Sequence, residues 1–443
     1  MARASSGMRG VEQSLPSEGT WMAEGTNILP VDTDPGVGGS PKHAEFVLGR
    51  RASLTTSVGV VAHTLWTSAA PALTYRLYAQ EWHLTYTATT GIFAVFPIAV
   101  VAMLVAFGGI SDQIGRRVAM LAGLSASLVG ALLFAVAPDV RWVFAGRAFM
   151  GVGVGLSAGP ATAAILEFCN HQDAKHAASL TMAAQAGGFA AALLVGGALT
   201  EYLPWPTRFC FWVFAGLLAA LTIATWFLPR DRFSDGTGAW RPRMPFVPKD
   251  TRRAFATAST AMIVAYTFGV LVLSLGGQVE HDLIGSSNAL LNGSVIALFP
   301  IVLGPFGIVA KGLSSRTALS VGSVASVLGM GLLILAVSQH DLLIYLIATA
   351  TAGASYSLLF AGSLRLIDVA GSSRHSGAVF SALYLMGYLS MAALALVLGA
   401  VGTAWGLGVA IYLGATTITI VSLVTLVLTA TTPPDAPKIE RTK

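Results

Sequence analysis

The chain has 443 residues, of which 54% are hydrophobic and only 11% are charged. Soluble domains carry about 25% charged residues, so this composition excludes an ordinary soluble domain and indicates an integral membrane protein. The net charge of +5 does not indicate a nucleic-acid partner, because the basic residues crowd into the short connections between apolar runs.

Residues 1–52 precede the first apolar run and are rich in glycine, serine, proline and acidic residues. They contain no hydrophobic region of the signal-peptide type, and this composition is typical of disorder. We predict a disordered cytosolic tail.

Twelve apolar runs follow, each long enough to cross a bilayer as a helix of about 20 residues. Long runs favour helices over the strands of a barrel, the other structure that satisfies every backbone group in lipid. The predicted fold is therefore all-α, with twelve transmembrane helices. Their centres lie near Trp66, Pro97, Leu128, Gly155, Ala190, Leu217, Tyr266, Ile301, Leu328, Ala352, Leu389 and Ile418.

The basic residues are distributed unevenly between the two sides of the predicted membrane. If both termini are cytosolic, every Lys and Arg falls on the cytosolic side except Arg76, Arg141, Arg147 and Arg208. This asymmetry follows the positive-inside rule. It predicts a multi-pass protein of the plasma membrane with both termini in the cytosol.

The segment at residues 229–253 is basic and rich in proline, and it divides the runs into six and six. We interpret it as a cytosolic linker between an N-terminal half at residues 53–228 and a C-terminal half at residues 254–431. Residues 432–443 form a short cytosolic tail. A weak internal repeat supports the division: Gly108, Asp112, Gly115, Arg116 and Arg117 recur in shifted form as Gly307, Lys311, Ser314, Ser315 and Arg316.

The loop after the second run reads GGISDQIGRR at residues 108–117. It resembles the signature G-x-x-x-D-[RK]-x-G-R-[RK] of the major facilitator superfamily, except that Gln113 replaces a basic residue. The resemblance covers about residues 52–431. It implies two pseudo-symmetric six-helix bundles that transport a small molecule, usually as a monomer.

The same resemblance implies a conformational latch in this loop. Asp112 and Arg116 would interlock with an acid at the inner end of the fourth span, the place that Glu167 occupies. A solvated turn that merely follows the positive-inside rule is the alternative. The remaining predicted latch residues permit close helix approach, allow a tight turn and hold the loop in the cytosol: Gly108, Gly115 and Arg117.

Arg147 lies inside the fourth run, and together with Gly151 it resembles the family's fourth-span motif. Burying an unpaired arginine in lipid costs several kcal/mol, so we expect it to face a cavity or a partner. There it would contact substrate or influence proton release. Snorkelling of the side chain to the outer interface is the alternative.

His63 lies at mid-membrane depth, one turn before Trp66. Its imidazole could exchange protons near neutral pH, although a hydrogen-bonded core histidine fits equally well. Trp66 and several tyrosines predicted at interior depth complete a candidate substrate and proton pathway with His63 and Arg147. These tyrosines are Tyr266, Tyr356, Tyr384 and Tyr388, of which the last two share a helix face.

The fifth run contains a partial version of the family's antiporter motif, G-x-x-x-G-P-x-x-G-G. It survives as Gly188, Gly196 and Gly197, with the central Gly-Pro replaced by Ala-Leu. Without the proline, the helix should bend less. Small residues that let helices pack closely, Gly151 included, are an equally good explanation.

These features together predict a secondary active transporter for a small organic or amphipathic compound, with proton-driven export of drugs or metabolites as the leading hypothesis. The first span lacks the acid that many proton-coupled exporters carry, and no acid is predicted at mid-membrane depth. The alternative is an uptake symporter or facilitator of a polar metabolite. More remote alternatives are a non-transporting membrane sensor and a membrane-embedded enzyme.

Neither enzymatic activity nor a bound cofactor is expected. The sequence lacks G-x-x-x-x-G-K-[ST], so ATP-driven pumping is unsupported, and it lacks a membrane-depth cluster of metal ligands. The proton gradient is the expected energy source.

Overall fold

The computed structural model describes residues 48–107, 111–169, 174–229, 251–283, 285, 288–370 and 376–431. Residues 1–47 of the predicted N-terminal tail, the predicted C-terminal tail and almost all of the predicted linker lie outside these residues, whereas Arg50–Ala52, predicted as the end of the N-terminal tail, form the start of the first helix. Every regular element in the described ranges is helical, which confirms the all-α class.

In chain order, the α-helices of the described ranges are α1 (Arg50–Ala69), α2 (Tyr75–Glu81), α3 (Tyr86–Phe107), α4 (Ser111–Ile114), α5 (Arg116–Ala135), α6 (Val140–Phe168), α7 (Ala174–Tyr202), α8 (Phe209–Trp226), α9 (Arg252–Gly269), α10 (Gly276–Gln278), α11 (Ala289–Gly312), α12 (Ser315–Gln339), α13 (Leu342–Ala370), α14 (Ser376–Trp405) and α15 (Leu407–Thr431). Two π-helical segments, Val270–Ser274 and Val279–Leu283, lie on either side of α10.

Within the described residues, 11 helical segments are long and apolar enough to cross a membrane, and each contains one predicted centre. The remaining predicted centre, Trp66, lies in α1, which has 20 residues but is rich in serine and threonine. α1 packs on α6 and α7. A count of twelve spans therefore stays a prediction.

Helix pairing follows the same order in two parts of the chain. α6 packs on α1, α3 and α5, and α13 packs on α9, α11 and α12; likewise α5 packs on α8, and α12 on α15. Equivalent hydrogen bonds accompany the α5–α8 and α12–α15 pairings. Arg117 donates to the carbonyl of Leu228 after α8, and Arg316 donates to that of Ala430 in α15, both at 3.0 Å. This recurrence agrees with the sequence repeat.

We call α1–α8 the first set of helices and α9–α15 the second set. The two sets meet where α3 packs on α14 and where α7 packs on α11. We call the end of the bundle that carries Arg116 and Arg316 the basic end, and the other the opposite end. At the opposite end, the Thr87 amide donates to Thr403 Oγ1 at 2.9 Å, and Tyr86 Oη donates to Asp282 Oδ2 at 3.2 Å. These contacts close the α3–α14 seam there.

The α7–α11 seam is closed at the same end. Glu201 Oε2 accepts a hydrogen bond from the amide of Ala289 at 2.7 Å, beside the first turn of α11. A Cβ atom built on Gly293 would lie 2.5 Å from the carbonyl oxygen of Leu193, so the two backbones are in direct contact. The structure thus represents a conformation that is closed at the opposite end.

Candidate substrate and proton pathway

The predicted latch loop turns at Gly115, whose φ of +86° is a backbone conformation that favours glycine. α5 begins at the next residue. Arg116 forms an ion pair with Glu167 near the end of α6, and both side chains are partly exposed, at 38% and 43%. Arg117 packs over the ring of Trp226. The structure thus brings together the partners Arg116 and Glu167.

Two other predicted latch residues, Gly108 and Asp112, fall wholly or partly outside the described residues. Gly108 and the side chain of Asp112 lie outside the described residues, although the backbone of Asp112 belongs to α4. The segment 371–375, which precedes α14, also lies outside them. The latch therefore stays a prediction.

Arg147 is fully buried, so its guanidinium is enclosed by the protein. Nη1 donates to the carbonyl oxygens of Thr67 and Ser68 at 3.2 and 3.4 Å, and the guanidinium lies over the ring of Phe96. Pro71 explains why the first of these acceptors, the carbonyl of Thr67, is free within α1. It has no N–H to donate to Thr67 four residues earlier, so the end of α1 leaves a carbonyl that another group must satisfy.

His63 is also buried, and its two ring nitrogens connect α1 to α5. Nδ1 donates to the carbonyl of Val60, and Nε2 accepts from the hydroxyl of Ser127 at 3.3 Å. A neutral imidazole satisfies both contacts. This is the geometry of a hydrogen-bonded core histidine, and proton transport through it stays a prediction.

The four predicted tyrosines lie together at the contact of α9, α13 and α14. Tyr266 contacts Tyr388 edge to face at 4.8 Å between ring centroids, and Tyr356 at 6.4 Å. Tyr384 joins through Phe360 at 6.2 Å. We call these four tyrosines, together with Phe189, Phe299 and Phe360, the aromatic cluster.

Sequence reasoning missed the phenylalanines that extend the cluster across the two sets of helices. Phe299 of α11 contacts Tyr356 at 5.6 Å, and Phe189 of α7 contacts Phe299 at 5.9 Å. The chain has 21 phenylalanines, so residue type alone could not single out these two. Trp66, in contrast, lies apart from the cluster, because it stacks on Phe214 of α8 at 5.8 Å.

Three of the four predicted packing glycines lie where backbones touch. A Cβ atom built on Gly151 would lie 2.5 Å from the carbonyl oxygen of Phe96, and one on Gly188 would overlap that of Ala62. Gly197 faces the first residues of α11. Gly196 is different, because a Cβ atom there would meet only a leucine side chain at 4.0 Å.

The sequence model of the Major Facilitator Superfamily matches residues 55–395, most of the chain. The chain belongs to this superfamily. It is a multi-pass membrane protein, since its described ranges also supply 11 candidate membrane spans. The motif resemblance noted above is thereby confirmed at the level of the family.

Relatives of this family member include two proteins whose names refer to resistance or efflux. The puromycin resistance protein pur8 of Streptomyces alboniger is 32% identical over 34% of this chain and 30% of its own length. The multidrug efflux pump LfrA of Mycolicibacterium smegmatis is 26% identical over 62% of this chain and 53% of its own. The matches thus span about a third to a half of these relatives.

Solved transporters share the fold at much lower identity. The nucleoside transporter NupG superposes with a TM-score of 0.67 at 11% identity and covers 86% of this chain and 98% of its own. A transporter of the POT family gives the same TM-score at 12% identity, covering 86% and 96%. These likenesses show the fold alone.

Proposed function

We propose that this protein is a secondary active transporter that exports an amphipathic organic compound by alternating access, with the proton gradient as its energy source. The aromatic cluster carries the proposal. It offers ring faces and a few hydroxyl groups rather than charges, which suits a mostly apolar ligand with few polar groups. The names of the two efflux- and resistance-type relatives support the same substrate class and direction.

The position of the cluster suits a site that alternates between the two sides of the membrane. Phe189 belongs to the first set of helices, whereas Phe299 and the tyrosines belong to the second. A ligand there would contact both sets, so rocking of one set against the other would expose it first to one side and then to the other.

The wider architecture forms part of the same proposal. α1 would be the twelfth span, and the two sets of helices would be six-helix halves joined by the basic linker at residues 229–253. The positive-inside rule makes the basic end cytosolic, so the closed opposite end would face the outside. We propose a monomer in the plasma membrane with both termini in the cytosol.

The function is tested by accumulation of amphipathic fluorescent compounds, and of puromycin, in cells that express the protein. We expect lower accumulation with the wild-type protein, and loss of this effect with a protonophore or with Asp112→Asn at equal surface expression. Tyr356→Leu should raise the KM about 2- to 10-fold, the equivalent of about 0.5–1.5 kcal/mol for an aromatic contact. Tyr412→Leu, outside the cluster, is the matched control.

Other outcomes separate the alternatives. Higher accumulation with the wild type would contradict export and favour uptake. Equal effects of the two tyrosine substitutions would contradict the cluster as the site. An exporter insensitive to the protonophore would retain the direction but lose the proposed energy source.

The Arg116–Glu167 pair gives a second prediction, which concerns the latch. Because both side chains are partly exposed, Glu167→Gln should change the free energy of unfolding by no more than about 1 kcal/mol. If the pair acts as a latch, Glu167→Gln should nevertheless lower the initial rate of transport several-fold. The measurements are thermal unfolding of the purified protein and initial efflux rates at equal expression.

The exchanged pair, Arg116→Glu with Glu167→Arg, distinguishes an ion pair from two unrelated charges. We expect the double variant to recover part of the transport that each single variant loses. Additive losses would show that the two residues do not act on transport through each other.

A further inference from the structure

The chain between α9 and α11 is not one regular helix. The candidate span Arg252–Ser274 ends with the π-helical segment Val270–Ser274, and the single turn α10 and the π-helical segment Val279–Leu283 follow beyond it. π-helical turns within α-helices are rare and often occur at functional sites. In membrane transporters, interrupted helices commonly supply the groups that bind ions.

This interrupted segment holds a group of buried polar atoms that have no hydrogen-bond partner among the described residues. Glu280 is 0% exposed, and no described residue makes a hydrogen bond to either carboxylate oxygen. Ser274 Oγ and Gln278 Oε1 are likewise buried and lack a partner in the described ranges. Burial of an uncompensated charge is so costly that the group takes up a proton instead, and burial indeed raises the pKa of Glu280 well above its usual range.

The neighbouring charges do not neutralise Glu280. On α2, Arg76 interacts electrostatically with Asp282 and with Glu201 of α7. His281 pairs with Asp282 at 2.7 Å. These charged groups therefore form a separate network at the surface of the opposite end.

Among the residues that the structure describes, the elements that pack around the interrupted segment bring no other cation near Glu280. Tyr345 of α13 is the titratable side chain that interacts with it electrostatically. α11 carries Lys311 as its charged residue, and this lies at the basic end. A protonated carboxyl is the form of Glu280 that this environment accommodates.

The location of Glu280 links its protonation to the seam between the two sets of helices. Two residues further along, Asp282 accepts the hydrogen bond from Tyr86 that helps to close the opposite end. Separation of the sets there would admit water to the interrupted segment. We propose that Glu280 is a proton-binding site that holds the opposite end closed while it is protonated and favours opening once it is ionised.

The sign of the pH effect follows from this arrangement. Glu280 binds its proton more tightly when the end is closed and the carboxyl is buried than when the end is open and the carboxyl is hydrated. Low pH on that side therefore stabilises the closed conformation, and this stabilisation is lost as the pH rises through the pKa of the closed conformation. At the steepest point, the open population should rise about tenfold per pH unit.

Accessibility of Thr90 provides the test, because Thr90 is buried in the α3–α14 seam against Gly399. Thr90→Cys would be combined with Cys169→Ser and Cys210→Ser, and labelled in intact cells with a membrane-impermeant maleimide over a range of external pH. Rates would be normalised to those of Gln339→Cys, an exposed site at the same end. We expect the normalised rate to rise with pH.

Glu280→Gln mimics the protonated acid and should make the rate low and independent of pH. Glu280→Asp can still titrate and should retain the dependence, as should the control Asp282→Asn. A pH dependence that survives in Glu280→Gln would overturn the proposal, since another group such as His281 would then be responsible. A rate that is independent of pH in the parent would also overturn it.

An infrared difference spectrum of the purified protein, acidic minus alkaline, tests protonation directly. The carbonyl stretch of a buried carboxylic acid should appear in the wild type and be absent in Glu280→Gln; its persistence would overturn the assignment. The inference rests on the proposed alternating access but not on the substrate. Intact pH-dependent labelling without any drug efflux would contradict the proposed export while supporting the proton site.

Discussion

Substitution of Arg147 by methionine is expected to destabilise the protein and to abolish transport. The change removes the donor to the carbonyl oxygens of Thr67 and Ser68 and leaves both acceptors buried. Each buried acceptor without a partner costs about 1–3 kcal/mol. Thermal unfolding of the purified protein measures the loss of stability, and Arg141→Met on the exposed first turn of α6 is the matched control.

A double-mutant cycle with Pro71 tests the structural cause. Pro71→Ala provides the N–H that the carbonyl of Thr67 lacks in the wild type. In that background, we expect Arg147→Met to cost at least about 1 kcal/mol less than it does alone. Equal costs in the two backgrounds would show that Arg147 does not stabilise the protein by capping the end of α1.

Arg147→Lys separates capping from the other properties of the guanidinium. A lysine retains the charge and can donate to a carbonyl, but it lacks the planar group that lies over Phe96. We expect partial recovery of stability with transport still impaired. Full transport with lysine would limit the role of Arg147 to its charge and its donation to a carbonyl, and would exclude a role for the planar guanidinium.

The membrane spans could be predicted from the sequence because residues that face lipid must be apolar. This reasoning is weakest for α1, which packs on α6 and α7. Its hydroxyl groups donate hydrogen bonds to backbone carbonyls of the same helix, as Ser57 does to Ser53 and Thr67 to His63. A buried helix of this kind has little need of high hydropathy, and for this reason α1 falls outside the 11 apolar segments.

The candidate pathway could be predicted in part. Depth in the membrane was enough to select Tyr266 and its three tyrosine neighbours, but the same reasoning selected Trp66, which faces α8. The faces of an apolar span differ little in hydropathy. The sequence therefore indicates how deep a residue lies in the membrane but not which neighbouring helix its side chain contacts. The role of Phe299 depends on which helices meet, and this is a property of the tertiary structure.

Glu280 illustrates a different limit. Hydropathy ends the candidate span that contains α9 at Ser274, so an acid six residues later is expected in a solvated loop. Its burial results from the tertiary packing of the interrupted segment, in which α10 contacts α2 and α11, and no local pattern predicts that. Only the combination of complete burial with an absence of partners among the described residues distinguishes it from the exposed Asp282.

Gly188→Ala is the second substitution from which we expect a large effect. A methyl group there would overlap the carbonyl oxygen of Ala62 and lie 2.9 Å from its Cα atom. Both are backbone atoms, so α1 and α7 must move apart. Overpacking of this kind typically costs about 1–3 kcal/mol.

The neighbouring residue supplies a closely matched control. Gly187 lies on the same helix, and a Cβ atom built there meets nothing within 4 Å. Gly187→Ala replaces a glycine in a helix and should be neutral or slightly stabilising. Gly196→Ala should also be tolerated, because its nearest contact is the end of a leucine side chain at 4.0 Å. Thermal unfolding in detergent compares the three variants.

The comparison also separates the two interpretations of the fifth-span motif. If the glycines only permit close packing, the loss of stability in the three variants should follow the contacts of each Cβ, with Gly188→Ala alone impaired. If the motif also governs bending of α7 during transport, Gly196→Ala should lower the efflux rate while leaving thermal unfolding unchanged. A Gly188→Ala protein as stable as Gly187→Ala would contradict the close contact of α1 with α7.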